Sequence, residues 1–204
     1  MSVIAPTRAA ARPEPVRWTR ERFYAAVDAG VIGEDEKLEM IGGIITDEGM
    51  EDRRAQKSGH SVAVLEISAV LGRAFGSAHH VRPQMPLAIG PDSDPEPDIT
   101  VVGGVIRDYA GRHPARAELV IEVAESSLRF DRTTKASLYA SAGVPDYWIV
   151  NLVDRVLEVH RQPVPDRDEM FGWRYASIAR LAPGDAVAPV RAPDASIPVA
   201  DLLP

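Results

Sequence analysis

Cysteine is absent from this chain of 204 residues. Its absence excludes disulfide bonds, thiolate zinc sites and cysteine nucleophiles together, and we expect a cytoplasmic protein. Long apolar runs are also missing, because candidates such as Tyr147–Val150 have only the length of a β-strand. A membrane-spanning helix needs about 20 apolar residues, so we expect no membrane association.

The chain also has no excess of positive charge. The formal net charge is −7, whereas sequence-independent affinity for nucleic acid comes mainly from Lys and Arg side chains that neutralise phosphates. Any nucleic-acid site should therefore be local. Two basic clusters, each either a solvated face or a phosphate contact, are Arg53, Arg54 and Lys57, and Arg129, Arg132 and Lys135.

Length and a hydrophobic content of 45% indicate one domain with a sizeable core. Residues 1–16 are rich in Ala, Pro and Arg and are predicted to be a disordered tail. Residues 17–162 are predicted to form the main domain. Residues 163–204 are expected to add a strand and a Pro-rich appendage to that same domain.

Hydrophobic periodicity predicts an α/β fold. Thr19 can cap a first helix that ends at Gly30, and Gly42-Gly43 can supply the turn of a β-hairpin. A helix from about Gln56 to Phe75 is predicted to pack on the sheet. Its apolar stripe is expected to be Val62, Leu65, Ala69 and Ala74, broadened by Val64, Ile67, Val70 and Leu71.

Several further runs have the composition of strands. The predicted strands are Val81–Ile89, Asp98–Val102, Leu119–Ala124, Tyr147–Val150, Val156–His160 and Trp173–Ala179. A predicted helix, Asp131–Ala142, lies between the third and fourth of them, so strand, helix and strand form a crossover unit.

Two carboxylates on predicted strands are the strongest chemical signal. Asp98 stands at the entry of one apolar strand, and Glu122 stands amid apolar neighbours inside another. A buried carboxylate needs a partner or a metal, and Mg²⁺ is commonly held by one or two carboxylates together with phosphate oxygens and water. Lys135 shares a helical face with Asp131 and Tyr139, so its ammonium could reach the same place.

These residues resemble the PD-(D/E)xK nuclease superfamily and, within it, the Uma-two family of restriction-endonuclease-like proteins. The resemblance covers roughly 17–161. The residues that carry it are Leu38–Gly43, the helix opening at His60, Pro97-Asp98-Ile99, Leu119–Val123, the helix with Asp131, Lys135 and Tyr139, and Gly143–Val150.

The resemblance implies a restriction-endonuclease-like core, with a central mixed β-sheet flanked by helices. It also implies a metal-dependent endonuclease that cuts nucleic acid, with DNA as the expected substrate, and that uses Mg²⁺ or Mn²⁺. Asp98 and Glu122 would be metal ligands, and Glu39 would complete the metal shell or act as a base through water. Lys135 would replace the motif lysine, because Ala124 occupies the lysine position of the Glu-x-Lys pattern. We expect a homodimer.

Other interpretations remain open for each of these residues. Asp98 could cap a turn, Glu122 and Glu39 could be exposed strand residues, and Lys135 could form a surface pair with Asp131. His60 could be a helix cap or packing residue rather than a phosphate or metal contact. The alternative functions are a noncatalytic binding or regulatory protein that keeps the fold, and a hydrolase of another phosphorylated substrate.

Overall fold

The computed structural model describes residues 15–33, 36, 38–47 and 58–203. Residues 1–14 of the predicted disordered tail lie outside the described residues, as does the basic cluster Arg53, Arg54 and Lys57. From the N-terminus the elements are α1 (Arg20–Asp28), β1 (Leu38–Ile41), β2 (Ile44–Asp47), α2 (Ser58–Phe75), β3 (His79–Pro83), β4 (Ile99–Gly103), β5 (Leu119–Ala124), α3, β6 (Asp146–Asn151), β7 (Val156–Pro165), β8 (Trp173–Leu181), β9 (Ala186–Val187) and β10 (Ile197–Pro198). Helix α3 is the continuous run of Leu128–Phe130, the π-helical turn Asp131–Lys135 and Ala136–Ser141.

The first helix and the hairpin confirm their sequence predictions. The side chain of Thr19 accepts a hydrogen bond from the Arg22 N–H and caps α1. Strands β1 and β2 are antiparallel, and Gly42 and Gly43 connect them with φ angles of 57° and 72°. Two consecutive positive φ angles suit a tight hairpin turn, and glycine adopts them without steric cost.

Within the described residues, the central sheet has six strands in the order β3-β4-β5-β6-β7-β8. Strands β5 and β6 are parallel, and every other neighbouring pair is antiparallel. Helix α3 joins the parallel pair, which confirms the predicted crossover unit. The prediction of a central mixed sheet flanked by helices is therefore confirmed.

The predicted strand Val81–Ile89 is wrong over its second half. Strand β3 ends at Pro83, and Gln84 has a positive φ of 48°. The chain then folds against the segment before β4, with the Leu87 N–H donating to the Pro95 carbonyl at 2.9 Å. The positive φ and the missing N–H of Pro86 explain why the ladder cannot continue through an otherwise apolar run.

The predicted apolar stripe of α2 is wrong for its first residues, Val62 and Leu65, whereas Val64, Ile67 and Leu71, which were expected to broaden it, are buried. The buried residues are Ala63, Val64, Ile67, Leu71 and Phe75, whereas Val62 and Leu65 are 43% and 68% exposed. Apolar residues occur on most sides of this helix, so periodicity alone did not select the face that meets the sheet. Contact with Ile99, Val101, Leu119, Ile121 and Val123 of the sheet selects it.

The expectation that no segment approaches the size of a membrane span is also wrong. The exception is Gly59–Ala78, which includes most of α2. It has 20 residues and a mean hydropathy of 1.3, and thus the length and composition of a membrane-crossing helix. In the fold, one face of this helix packs into the core against the sheet, as core helices of the same composition also do.

The second face of the sheet packs against α3. Leu138, Tyr139 and Ala140 of that helix meet Val120 of β5 and Ile149 of β6. Burial on both faces accounts for the nearly continuous apolar sequences of β5 and β6, which are typical of central strands.

The C-terminal residues contribute to the main core. Strand β8 pairs with β7 along its length, which confirms the predicted strand near Trp173–Ala179. The expected boundary at 162–163 falls inside β7. Val187, Ile197 and Val199 are buried in the same cluster as α2, so residues after 163 help to cover the first face of the sheet.

Candidate active site

The sheet register brings Asp98 and Glu122 together. Asp98 immediately precedes β4, and the antiparallel pairing of Ile99 with Ile121 places Asp98 beside Glu122. The Val123 N–H donates to Asp98 Oδ2 at 2.8 Å, and the Asp98 N–H lies 3.4 Å from Glu122 Oε2. The backbone of each strand therefore positions the carboxylate of the other.

Glu122 is buried, with 4% of its surface exposed. Tyr139 of α3 donates its hydroxyl hydrogen to Glu122 Oε1 at 2.7 Å, and Lys135 Nζ lies 3.1 Å from the same oxygen. Burial raises the pKa of Glu122 well above its usual range, against the lowering effect of Lys135. The alternative that Glu122 is a solvent-facing strand residue is therefore wrong.

Glu39 reaches the same place from the β1–β2 hairpin. The Asp94 N–H donates to the Met40 carbonyl at 2.6 Å and attaches the hairpin to the segment before Asp98. Glu39 is 2% exposed, and its Oε1 accepts the Glu96 N–H at 2.8 Å. The structure thus buries this carboxylate, which the sequence left open as an exposed strand residue.

Lys135 lies between two of the acids. Its Nζ is 3.2 Å from Glu39 Oε1 and 3.1 Å from Glu122 Oε1, and the residue is 4% exposed. It ends the π-helical turn, in which the Ala136 N–H donates to the Asp131 carbonyl. Such turns are rare and frequently occur at functional sites. Burial excludes a surface pair with Asp131 as the main role of Lys135.

Two further residues of this site were not among the predicted site residues. His60 at the start of α2 has its Nε2 2.9 Å from Asp98 Oδ1, although the sequence favoured a capping or packing role. Asp131 is 1% exposed and accepts a hydrogen bond from the Ser127 hydroxyl at 2.6 Å. Burial raises the pKa of Asp131 to about 6. The only sequence signal for Asp131 was its place on the helical face of Lys135.

The second basic cluster does not converge on the acids as a whole. Arg132 forms a bidentate ion pair with Glu158, and its Nε lies 2.9 Å from Glu158 Oε2. Arg129 is exposed. Of the three residues in that cluster, Lys135 alone contacts Glu39 or Glu122 within the described residues.

The donor chemistry of the site fits a hard divalent cation. Glu39, Asp98 and Glu122 supply carboxylate oxygens, the ligand type that Mg²⁺ prefers. The hydrogen bonds of Glu39 fall on Oε1, and Oε2 accepts none within the described residues. Negative charge is in excess, since Asp131, Asp98 and Glu39 all raise the pKa of Glu122. Within the same residues, however, no group of three His, Asp or Glu is arranged so that it could hold a metal ion, and Lys135 Nζ lies between Glu39 and Glu122.

The model of the Uma2 family, described as "Putative restriction endonuclease", matches residues 21–199. The chain belongs to the Uma2 family. This is the Uma-two family indicated by the sequence motifs, so that prediction is confirmed. The Uma2 match spans all four predicted site residues, Glu39, Asp98, Glu122 and Lys135.

The fold is shared with a solved structure. The crystal structure of a putative nuclease belonging to DUF820 from Anabaena variabilis ATCC 29413 is similar, with a TM-score of 0.66 and 16% sequence identity. The similarity covers 92% of this Uma2 chain and 97% of that chain. At this identity it establishes the nuclease-like α/β fold. No curated protein matches the sequence.

Proposed function

We propose that this protein is a metal-dependent endonuclease that hydrolyses phosphodiester bonds of nucleic acid, with DNA as its substrate. The observation that carries the proposal is the convergence of Glu39, Asp98, Glu122 and Lys135 at one end of the central sheet, in a chain of the Uma2 family. Four charged residues from separate segments of the chain meet there, and the buried acids outnumber the one lysine.

Asp98, Glu122 and Glu39 would hold Mg²⁺ or Mn²⁺. A divalent cation held there would lower the pKa of a bound water molecule and offset the charge that develops on the phosphate. The protein fixes the ligands in advance: the Val123 N–H holds Asp98, and the Tyr139 hydroxyl holds Glu122. Preorganised ligands reduce the rearrangement that the reaction itself requires.

The Lys135 Nζ lies within 3.2 Å of the carboxylates of Glu39 and Glu122. The ammonium can donate hydrogen bonds to a water molecule or to a phosphate oxygen beside the acids. Glu39 can accept a proton from that water, as its Oε2 accepts no hydrogen bond within the described residues. Lys135 thus orients the attacking water, while Glu39 completes the metal shell or acts as the base.

A noncatalytic binding protein that keeps the fold is the second candidate. The observation in its favour is that Lys135 already offsets the charge of Glu39 and Glu122. The net charge of −7 also disfavours wide contact with nucleic acid.

The test is cleavage of supercoiled plasmid in the presence of Mg²⁺ or Mn²⁺. Wild type is compared with Asp98→Asn, Glu122→Gln and the matched control Glu118→Gln. Glu118 lies just before β5 and forms an exposed ion pair with Arg191. Loss of this ion pair should leave cleavage unchanged. The proposal requires cleavage by wild type and the control but not by the two site variants. Equal activity in all four proteins, or none in any, would favour the second candidate.

We further propose that the protein acts as a homodimer, so that two sites can cut the two strands of a duplex. Size-exclusion chromatography with light scattering should give about 44 kDa, twice the chain mass of 22.1 kDa. A mass of one chain at working concentrations would contradict the dimer and leave the hydrolytic proposal intact.

A further inference from the structure

Within the part of the chain that the structure describes, Arg82 of β3 is a buried cation without an acidic partner. It is 4% exposed, and its Nε is buried without a hydrogen-bond partner. Within the described residues it forms no ion pair, and its guanidinium carbon lies 5.4 Å from the centre of the Tyr109 ring. The facing residue, Thr100, is 1% exposed and also has an unpaired hydroxyl. Burying unpaired polar groups costs free energy, so this arrangement indicates a place for a ligand.

The register places Arg82 on the same sheet face as the acids. Arg82 pairs with Thr100, and Thr100 pairs with Val120. Side chains two residues apart on a strand share a face, so Arg82 and Thr100 share the face of Asp98 and Glu122. From strand dimensions, the Cα atoms of Arg82 and Asp98 are roughly 8 Å apart.

The loop after β4 adds further positive charge on this side. Tyr109, Arg112, His113 and Arg116 line a cavity of about 290 Å³. The Tyr109 ring, which lines this cavity, lies 5.4 Å from the guanidinium carbon of Arg82. The Arg82 side chain therefore lies close to a cavity that is lined by two further arginines, Arg112 and Arg116.

The loop is fixed, and its neighbouring acids are engaged. The Tyr109 hydroxyl donates to the Gly103 carbonyl at 2.6 Å, and the Ala88 N–H donates to the Pro114 carbonyl at 2.8 Å. Asp94 accepts a hydrogen bond from Tyr24 and lies 3.5 Å from Arg20 Nε, and Asp108 accepts the Val105 N–H. These acids have other partners, and within the described residues neither of them forms an ion pair with Arg82, Arg112 or Arg116.

We propose that Arg82, with Arg112, His113 and Arg116, forms a phosphate site that holds the nucleic-acid strand beside the scissile bond. The proposal rests on the proposed function and extends it. Arginine side chains can bind phosphate oxygens through two parallel hydrogen bonds. Successive phosphates of one strand are about 3.4 Å apart along a duplex axis, so this site would take a phosphate within a few nucleotides of the one at Asp98.

The test measures DNA binding without cleavage. The anisotropy of a labelled duplex is followed in EDTA at several salt concentrations for wild type, Arg82→Gln, and Arg112→Ala combined with Arg116→Ala. The matched control is Arg73→Ala, which changes an exposed arginine on α2, across the sheet. We expect roughly tenfold weaker binding for each site variant, and a salt slope reduced by about one for each phosphate that the variant no longer neutralises. The control should match wild type.

Unchanged affinity and salt slope in both site variants would overturn the inference. Thermal melting checks the fold, and if Arg82→Gln fails to fold, the variant of the two exposed loop arginines decides. Inorganic phosphate is titrated separately by NMR. If it shifts the signals of Tyr109 and His113 while DNA binding is independent of these residues, the site takes free phosphate and the strand proposal is wrong.

The outcome is separable from that of the proposed function. Cleavage by a protein whose DNA affinity is independent of Arg82 would contradict this inference alone. Arg82-dependent binding by a wild type that cuts nothing would support the inference and contradict the hydrolase. Failure of wild type to bind any nucleic acid would contradict the phosphate site.

Discussion

Replacing Tyr139 by Phe tests how firmly the protein holds the carboxylate of Glu122. The change removes one hydroxyl and keeps the ring, which is fully buried. The hydrogen bond that it removes is 2.7 Å long and ends on Glu122 Oε1. Since a bond to a charged group contributes about 1.5–3 kcal/mol, we expect the free energy of unfolding to fall by about that amount.

Tyr175 provides a matched control. It is also buried, but its hydroxyl donates to the neutral Val144 carbonyl at 2.9 Å. Tyr175→Phe should therefore cost only about 0.5–1.5 kcal/mol. The assay is urea unfolding of both variants and wild type in EDTA at mildly alkaline pH, repeated at acidic pH.

The difference between the two variants should shrink at acidic pH, because protonated Glu122 loses the charge that strengthens its bond to Tyr139. In addition, combining Tyr139→Phe with Glu122→Gln should give a non-additive effect, since the two residues are in contact. Equal costs for the two tyrosine variants at every pH, or full additivity, would refute the reasoning.

Three further predictions concern pH dependence, a site contact and a turn. Burial lowers the pKa of His160 to about 4, so the unfolded chain binds the proton first, and stability should fall by about 3 kcal/mol as pH drops from about 6.5 to 4. His160→Phe should remove that dependence relative to wild type in acid titrations of unfolding, and an unchanged slope would contradict the assignment. His60→Gln should lower plasmid cleavage by roughly 10- to 100-fold, because His60 contacts Asp98; wild-type rates would show that the contact is only structural. Gly43→Ala should destabilise the fold by about 1–3 kcal/mol in urea unfolding, because φ is +72° and the added Cβ would lie 2.7 Å from Arg17 Cβ; no loss of stability would mean that the hairpin relaxes.

Asp98 and Glu122 could be predicted from the sequence because both lie in segments with the composition of β-strands. Glu122 is an unusual acid inside the apolar sequence Leu119–Ala124, and Asp98 stands at the start of the preceding predicted strand. The contact of Glu39 with Lys135 joins residues 96 positions apart. No local pattern specifies such a contact, and the family resemblance supplied only the expectation that both residues belong to the site.

Other features depend on tertiary contacts that periodicity does not encode. The prediction of which face of α2 is buried was partly wrong, because Val62 and Leu65 are as apolar as the residues that contact the sheet. The strand predicted through Ile89 failed at the positive φ of Gln84. Arg82 gave no sequence signal, since its isolation follows from what surrounds it after folding. The C-terminal residues were expected as an appendage, although Val199 and Leu202 complete the core under α2.

The binding of a divalent cation by Asp98 and Glu122 is the proposed basis of phosphodiester hydrolysis by this protein. Its most direct test measures Mn²⁺ binding by electron paramagnetic resonance and plasmid cleavage on the same samples of wild type, Glu122→Gln and Glu118→Gln. We expect wild type and Glu118→Gln to bind Mn²⁺ and cut DNA, and Glu122→Gln to lose both properties. Cleavage by Glu122→Gln at the wild-type rate, or Mn²⁺ binding that does not depend on Glu122, would contradict this proposal.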